Sequence, residues 1–117
     1  MGKKIPNKNY MTLNEYQDKA ALAAFYEKDD VIYCALGITG EAGETADHVK
    51  KMLRDDNGVL TEERREHIKK ELGDVLWYLA RMAGKLNFTL DEIAQSNLDK
   101  IKDRLERNVQ KGSGDDR

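Results

Sequence analysis

Cysteine, proline and aromatic residues are all scarce in this chain. One cysteine, Cys34, excludes an internal disulfide and fits a reducing, cytoplasmic setting. One proline, Pro6, leaves everything after it free to be helical. No apolar run approaches the roughly 20 residues that a membrane span needs. No apolar stretch follows the basic Met1–Lys4 segment, so a signal peptide is not expected. An excess of one charge is also missing. The 20 Lys and Arg against 22 Asp and Glu leave a net charge of -2, which excludes nucleic-acid binding by bulk electrostatics. The length, 117 residues, allows one domain. Hydrophobic residues make up 39% and charged residues 36%, so a core is either thin or shared with a second copy.

What is present is helix periodicity. Residues 1–10 form a polar lead-in. Thr12-Leu-Asn-Glu15 is a capping box that opens a helix over about 12–28, with Leu13, Tyr16, Ala20, Ala23 and Ala24 on its inner face. Asp29-Asp30 caps a second helix over about 31–55, ended by Asn57-Gly58. Its apolar stripe is Ile38, Ala42, Val49 and Leu53, with Ala46 beside it. Thr61, followed by Glu62 and Glu63, opens a third helix to about Lys85, and Asn87 is a left-handed stop. The third stripe is Ile68, Leu72, Val75, Leu79, Met82 and Leu86. Thr89-Leu-Asp-Glu92 is a second capping box, opening a helix to about residue 110. Its stripe is Ile93, Ala94, Leu98, Ile101, Leu105 and Val109. Residues 111–117 read as a flexible tail. The expectation is a single all-α domain over 1–117, a four-helix bundle by type.

Two acidic pairs stand out. Helix two holds Glu41-Ala-Gly-Glu44 and helix three holds Glu71-Leu-Gly-Asp74. Both read E-x-G-[DE]. Residues i and i+3 share a helix face, so each pair sets two like charges side by side at a small cost. Both pairs border an apolar stripe, and packing the stripes together gathers four carboxylates in one cleft. A lone pair among 22 acids is an ordinary solvated face; two matched pairs are not. Carboxylates beside a core repel each other and resist desolvation, and a divalent cation answers both problems. An oxygen-only set suits Mg²⁺, with Mn²⁺ as a substitute. Gly37, Gly40, Gly43 and Gly73 sit inside helices at about 0.8–1 kcal/mol each, which points to close approach by a helix or ligand. His48, one turn after Glu44, can be a ligand or a group that supports one, but an ordinary surface histidine is the favoured reading.

Asn97, Lys100 and Arg104 share one side of helix four. An amide, a point charge and a planar guanidinium fork suit phosphate oxygens. A solvated face with local ion pairs, Arg104 with Asp99 for example, is the competing reading. Tyr78 falls one turn after Asp74, where it can stack on a base or pack in the core; for the adjacent Trp77 the core is favoured.

Glu41-x-x-Glu44, 26 residues, then Glu71-x-x-Asp74 resembles the signature of MazG-like, all-α nucleoside triphosphate pyrophosphohydrolases. The resemblance extends to Leu13-Asn-Glu-Tyr-Gln17, Glu71-Leu-Gly-Asp-Val-Leu-Trp-Tyr78, Asn97-x-x-Lys100-x-x-x-Arg104 and the ending Lys111-Gly-Ser-Gly-Asp-Asp-Arg117. It implies Mg²⁺-dependent hydrolysis of an NTP or dNTP to the monophosphate and pyrophosphate. It implies that Glu41, Glu44, Glu71 and Asp74 hold the metal. It implies that Asn97 and Lys100 contact the nucleotide, with Arg104 and Tyr78 nearby. It further implies a homodimer or dimer-based tetramer whose clefts use residues of a second subunit. On this reading Glu41 or Glu44 activates the water that attacks the α-phosphorus. Two alternatives remain. A di-iron carboxylate bundle usually carries Glu-x-x-His, and the i+3 positions here are Glu44 and Asp74, which argues against it. A non-catalytic helical interaction module would use the apolar stripes as a seam and turn over no nucleotide.

Overall fold

The structure, a computed structural model, describes residues 10–24, 30–107 and 115. It contains four helices in chain order: α1 (Leu13–Leu22), α2 (Val31–Asp55), α3 (Glu62–Lys85) and α4 (Leu90–Arg107). No strand occurs among the described residues, and no helix among them is long and apolar enough to cross a membrane.

The local signals act where they were expected. The Thr12 hydroxyl accepts the Glu15 N–H at 3.1 Å, and the Asp30 carboxylate accepts the Tyr33 N–H at 2.8 Å. The Thr61 hydroxyl accepts the Arg64 N–H at 3.1 Å. At α4 the capping box is reciprocal: the Glu92 N–H donates to Thr89 Oγ1 at 3.1 Å, and the Thr89 N–H to Glu92 Oε1 at 3.3 Å. Asn57, Gly58 and Asn87 all adopt positive φ, which turns the chain after α2 and α3. One boundary differs. α1 ends at Leu22 with Ala23 as its cap, earlier than the expected residue 28. Residues 25–29, 108–114 and 116–117, and with them Val109 and most of the tail, lie outside the described residues.

α2 and α3 form a long antiparallel hairpin, and α1 and α4 pack on α3. Ala20 of α1 meets Ala80 and Ala83 of α3 and Leu90 of α4 in a small core, with Tyr16 and Trp77 laid against it. Three small residues let α1 and α3 approach closely. Gln17 locks this corner: its amide donates to the Phe88 carbonyl at 2.9 Å and accepts the Leu90 N–H at 2.8 Å. Asn14 accepts the Asp91 N–H at 3.1 Å. Two side chains of α1 thus satisfy backbone donors at the start of α4 that no helical partner could reach.

The inner faces of the hairpin are not the expected apolar stripes. On α2 the line withdrawn from solvent is Cys34, Ile38, Glu41, Thr45, His48 and Met52. Ala42, Ala46, Val49 and Leu53, expected to pack, are exposed. On α3, Ile68, Val75 and Met82 are half-buried as expected, whereas Leu72, Leu79 and Leu86 are exposed. On α4, Ile93, Leu98, Ile101 and Leu105 are exposed. The hairpin is rotated so that polar residues lie between its helices and much of the apolar surface stays uncovered in the single chain.

Candidate active site

That rotation puts Glu41 and Glu71 inside the hairpin. A carboxylate oxygen from each of Glu41, Glu71 and Asp74 lies within 4.8 Å of the other two. α2 supplies the first and α3 the other two, one helical turn apart. The proximity is felt electrostatically. Burial first, then a hydrogen bond shared with Glu71 and the charges of Asp74, Glu71 and Glu44, push the Glu41 carboxyl above its ordinary value of 4.5. Like charges this close favour either a retained proton or a cation. Three convergent carboxylates fit a hard divalent ion. Glu44 is exposed on the shoulder of α2 and stands outside the converging three.

Tyr78 lies beside the acids, one turn beyond Asp74, and is packed between the helices. Its ring meets Tyr33 edge-on at 6.0 Å and Trp77 at 5.2 Å between centroids. A hydrogen bond with Tyr33, then burial, with further contributions from Tyr33, Glu41 and Asp74, hold its phenol up at about 12. The same face brings Tyr16 of α1 near Asp74: burial, then the Asp74 charge, push that phenol above its ordinary 10.0. Periodicity had marked Tyr16 only as an inner-face residue.

Of Gly37, Gly40, Gly43 and Gly73, Gly37 alone meets a neighbour. A β-carbon there would lie 2.5 Å from the Tyr78 ring. At Gly40, Gly43 and Gly73 nothing lies within 4 Å, so the close approach inferred from all four holds within the chain at one.

The α4 residues do not join the acids in the single chain. α4 packs on α1 and α3 and has no contact with α2 among the described residues. Asn97 and Lys100 line an open groove of about 470 Å³ with Phe88, Glu92, Ile93 and Ser96. Arg104 is buried, and its Nη2 donates to the Asp115 carbonyl at 2.9 Å. Lys100 Nζ reaches the Asp115 carboxylate at 3.1 Å. The two basic side chains thus already gather an anionic group, from the tail instead of a nucleotide. Asp99 accepts from Gln95 at 2.8 Å.

His48 is not a surface histidine: it is withdrawn from solvent on the inner line of α2. Its Nε2 lies 3.5 Å from Glu71 Oε1, and its Nδ1 lies 3.2 Å from Arg64 Nη1. The spacing had placed His48 one turn after Glu44. Its partners come from α3 and could not be read from α2.

The profile of the MazG nucleotide pyrophosphohydrolase domain matches residues 33–109, which includes all three converging acids. The chain is also 42% identical over 114 residues to a Mycobacterium phage L5 protein described as Gene 37 protein, covering 92% of this chain and 100% of that one. No solved structure matches.

Proposed function

Since the chain belongs to the MazG nucleotide pyrophosphohydrolase domain family, we propose that it hydrolyses a nucleoside triphosphate, ribo or deoxy, to the monophosphate and pyrophosphate with Mg²⁺. The observation that carries this reading is the convergence of Glu41, Glu71 and Asp74 within 4.8 Å. On this proposal those three hold the cation, Mn²⁺ being a substitute, and Glu44 joins from the shoulder. A bound divalent ion neutralises phosphate charge and lowers the pKa of water. Glu41 or Glu44 orients the water and takes its proton as the oxygen bonds to the α-phosphorus. The bond from that phosphorus to the α–β bridging oxygen breaks, and pyrophosphate leaves. Lys100 and Arg104 stabilise the charge on the departing group, and Asn97 holds the nucleotide. Tyr78, packed against Gly37, supports the wall of the cleft on the substrate side.

The reading also calls for a second subunit. Asn97, Lys100 and Arg104 sit on a helix that does not reach α2, so the acids and the phosphate-binding residues are brought together by a homodimer or a dimer-based tetramer. Leu72, Leu79, Leu98, Ile101 and Leu105, all exposed in one chain, support this, because so much uncovered apolar surface marks an interface. Sedimentation analysis tests it: a monomer at micromolar concentration overturns the assembly.

A panel of NTPs and dNTPs with Mg²⁺, scored for monophosphate and pyrophosphate, tests the activity. Release of orthophosphate overturns attack at the α-phosphorus. Full turnover by Glu44→Ala or Asp74→Ala overturns the site assignment.

A further inference from the structure

A chain of polar contacts inside the α2–α3 hairpin ends on Glu71, and its other members have no part in that mechanism. Asp56, in the turn after α2, accepts from Arg64 Nε at 3.1 Å. Arg64 Nη1 lies 3.2 Å from His48 Nδ1. On the far side of the ring, His48 Nε2 lies 3.5 Å from Glu71 Oε1. His67 covers one face of the imidazole, stacked at 5.3 Å with 10° between planes. The His48 and Glu71 side chains retain only 15% and 19% of their exposure, and Arg64 and Asp56 retain 16% and 19%.

The order of these groups fixes the hydrogens. A guanidinium has five N–H donors and no acceptor. The Nδ1 that faces Arg64 therefore offers its lone pair, and the ring proton stands on Nε2, aimed at the Glu71 carboxylate. With Nδ1 engaged and Nε2 protonated, the ring has no lone pair for a cation. His48 is thereby unsuited to be a ligand and suited to hold one. Side chains that hydrogen-bond a metal ligand set its orientation, and their loss commonly weakens metal affinity.

We infer that His48 is a positioning residue: its Nε2–H, set by Arg64 and Asp56, fixes the rotamer of Glu71 so that the other carboxylate oxygen is presented to a divalent cation shared with Glu41 and Asp74. This role rests on the metal-dependent reading above. It explains a polar side chain on the inner line of α2, where an apolar one would pack more cheaply. It also ties the α2–α3 turn to the acidic cluster.

The test is Mn²⁺ binding without nucleotide, followed by electron paramagnetic resonance, on the full chain and two variants of similar size. His48→Met removes the donor, and His48→Gln places an amide N–H near the position of Nε2. Circular dichroism melts establish that both are folded at the assay temperature. The expected result is about tenfold weaker Mn²⁺ binding for His48→Met, with most of it restored in His48→Gln. In turnover assays, the Mg²⁺ concentration for half-maximal rate rises for His48→Met while kcat at saturating Mg²⁺ stays near that of the parent. Unchanged Mn²⁺ binding in His48→Met overturns the role of His48, and so does an equal loss in both variants. Absence of Mn²⁺ binding by the parent chain is a different result: it overturns the metal site itself, and this role with it.

Discussion

The ring of Tyr78 packs against Gly37 so closely that a β-carbon at 37 would stand 2.5 Å from two ring atoms and 2.7 Å from a third. The contact lets α2 and α3 approach closely one turn before Glu41 and one turn beyond Asp74, which favours the rotation that turns Glu41 and Glu71 toward each other. Alanine normally stabilises a helix by about 1 kcal/mol over glycine. At Gly37 overpacking outweighs that gain, and Gly37→Ala is expected to destabilise the chain by about 1–3 kcal/mol. Gly40→Ala, with nothing within 4 Å, is expected to raise stability by about 0.5–1 kcal/mol. Urea melts of the two variants measure the opposite signs.

The raised Glu41 carboxyl makes stability depend on pH. Its folded value lies above the ordinary 4.5, so the stability it contributes is present below 4.5 and is lost as pH rises through the raised value. In EDTA the melting temperature is therefore expected to fall as pH climbs from 4.5 toward neutral. Glu41→Gln, which cannot ionise, is expected to flatten that fall. Mg²⁺ at neutral pH is expected to raise the melting temperature of the parent and to do so much less in the variant.

The same substitution bears on the chemistry. If Glu41 takes the proton of the attacking water, Glu41→Gln is expected to lower kcat by about 10²–10⁴-fold. Quenched-flow measurement of monophosphate formation reads this directly. A loss confined to the Mg²⁺ requirement would assign Glu41 to metal binding alone.

Lys100 and Arg104 converge on Asp115, and the hydrogen bond from Lys100 chiefly holds that carboxyl below its ordinary 3.8. On the proposed reading the same ammonium meets the phosphates of the departing group, and a charge-assisted contact there is worth about 1.5 kcal/mol, roughly tenfold in rate. Lys100→Ala is expected to lower kcat about tenfold, with a smaller change in KM for the triphosphate. Initial-rate kinetics at saturating Mg²⁺ check the split.

Gln17 bridges two backbone groups around the start of α4. Gln17→Leu keeps the volume and leaves the Phe88 carbonyl and the Leu90 N–H without their protein partner. A destabilisation of about 1–3 kcal/mol is expected. Hydrogen exchange is expected to locate the loss at the first turn of α4.

Four helices and their caps were legible in the sequence because capping and left-handed turns are local: Thr61 needs only the N–H of Arg64 three residues on, and Asn87 needs only its own φ. The acidic pairs were legible for the same reason, since i and i+3 share a face on any helix. Which face turns inward was not local. The α2 stripe through Ala42, Val49 and Leu53 carried the apolar signal, yet Glu41, Thr45 and His48 lie inside. Helix rotation is set by contacts between helices, here Gly37 under Tyr78, and no single-helix pattern contains them. Only that rotation decided that Glu71 meets Glu41 and His48, that Glu44 stays on the shoulder, and that Leu72 and Leu79 of α3 and Leu98 and Leu105 of α4 remain uncovered.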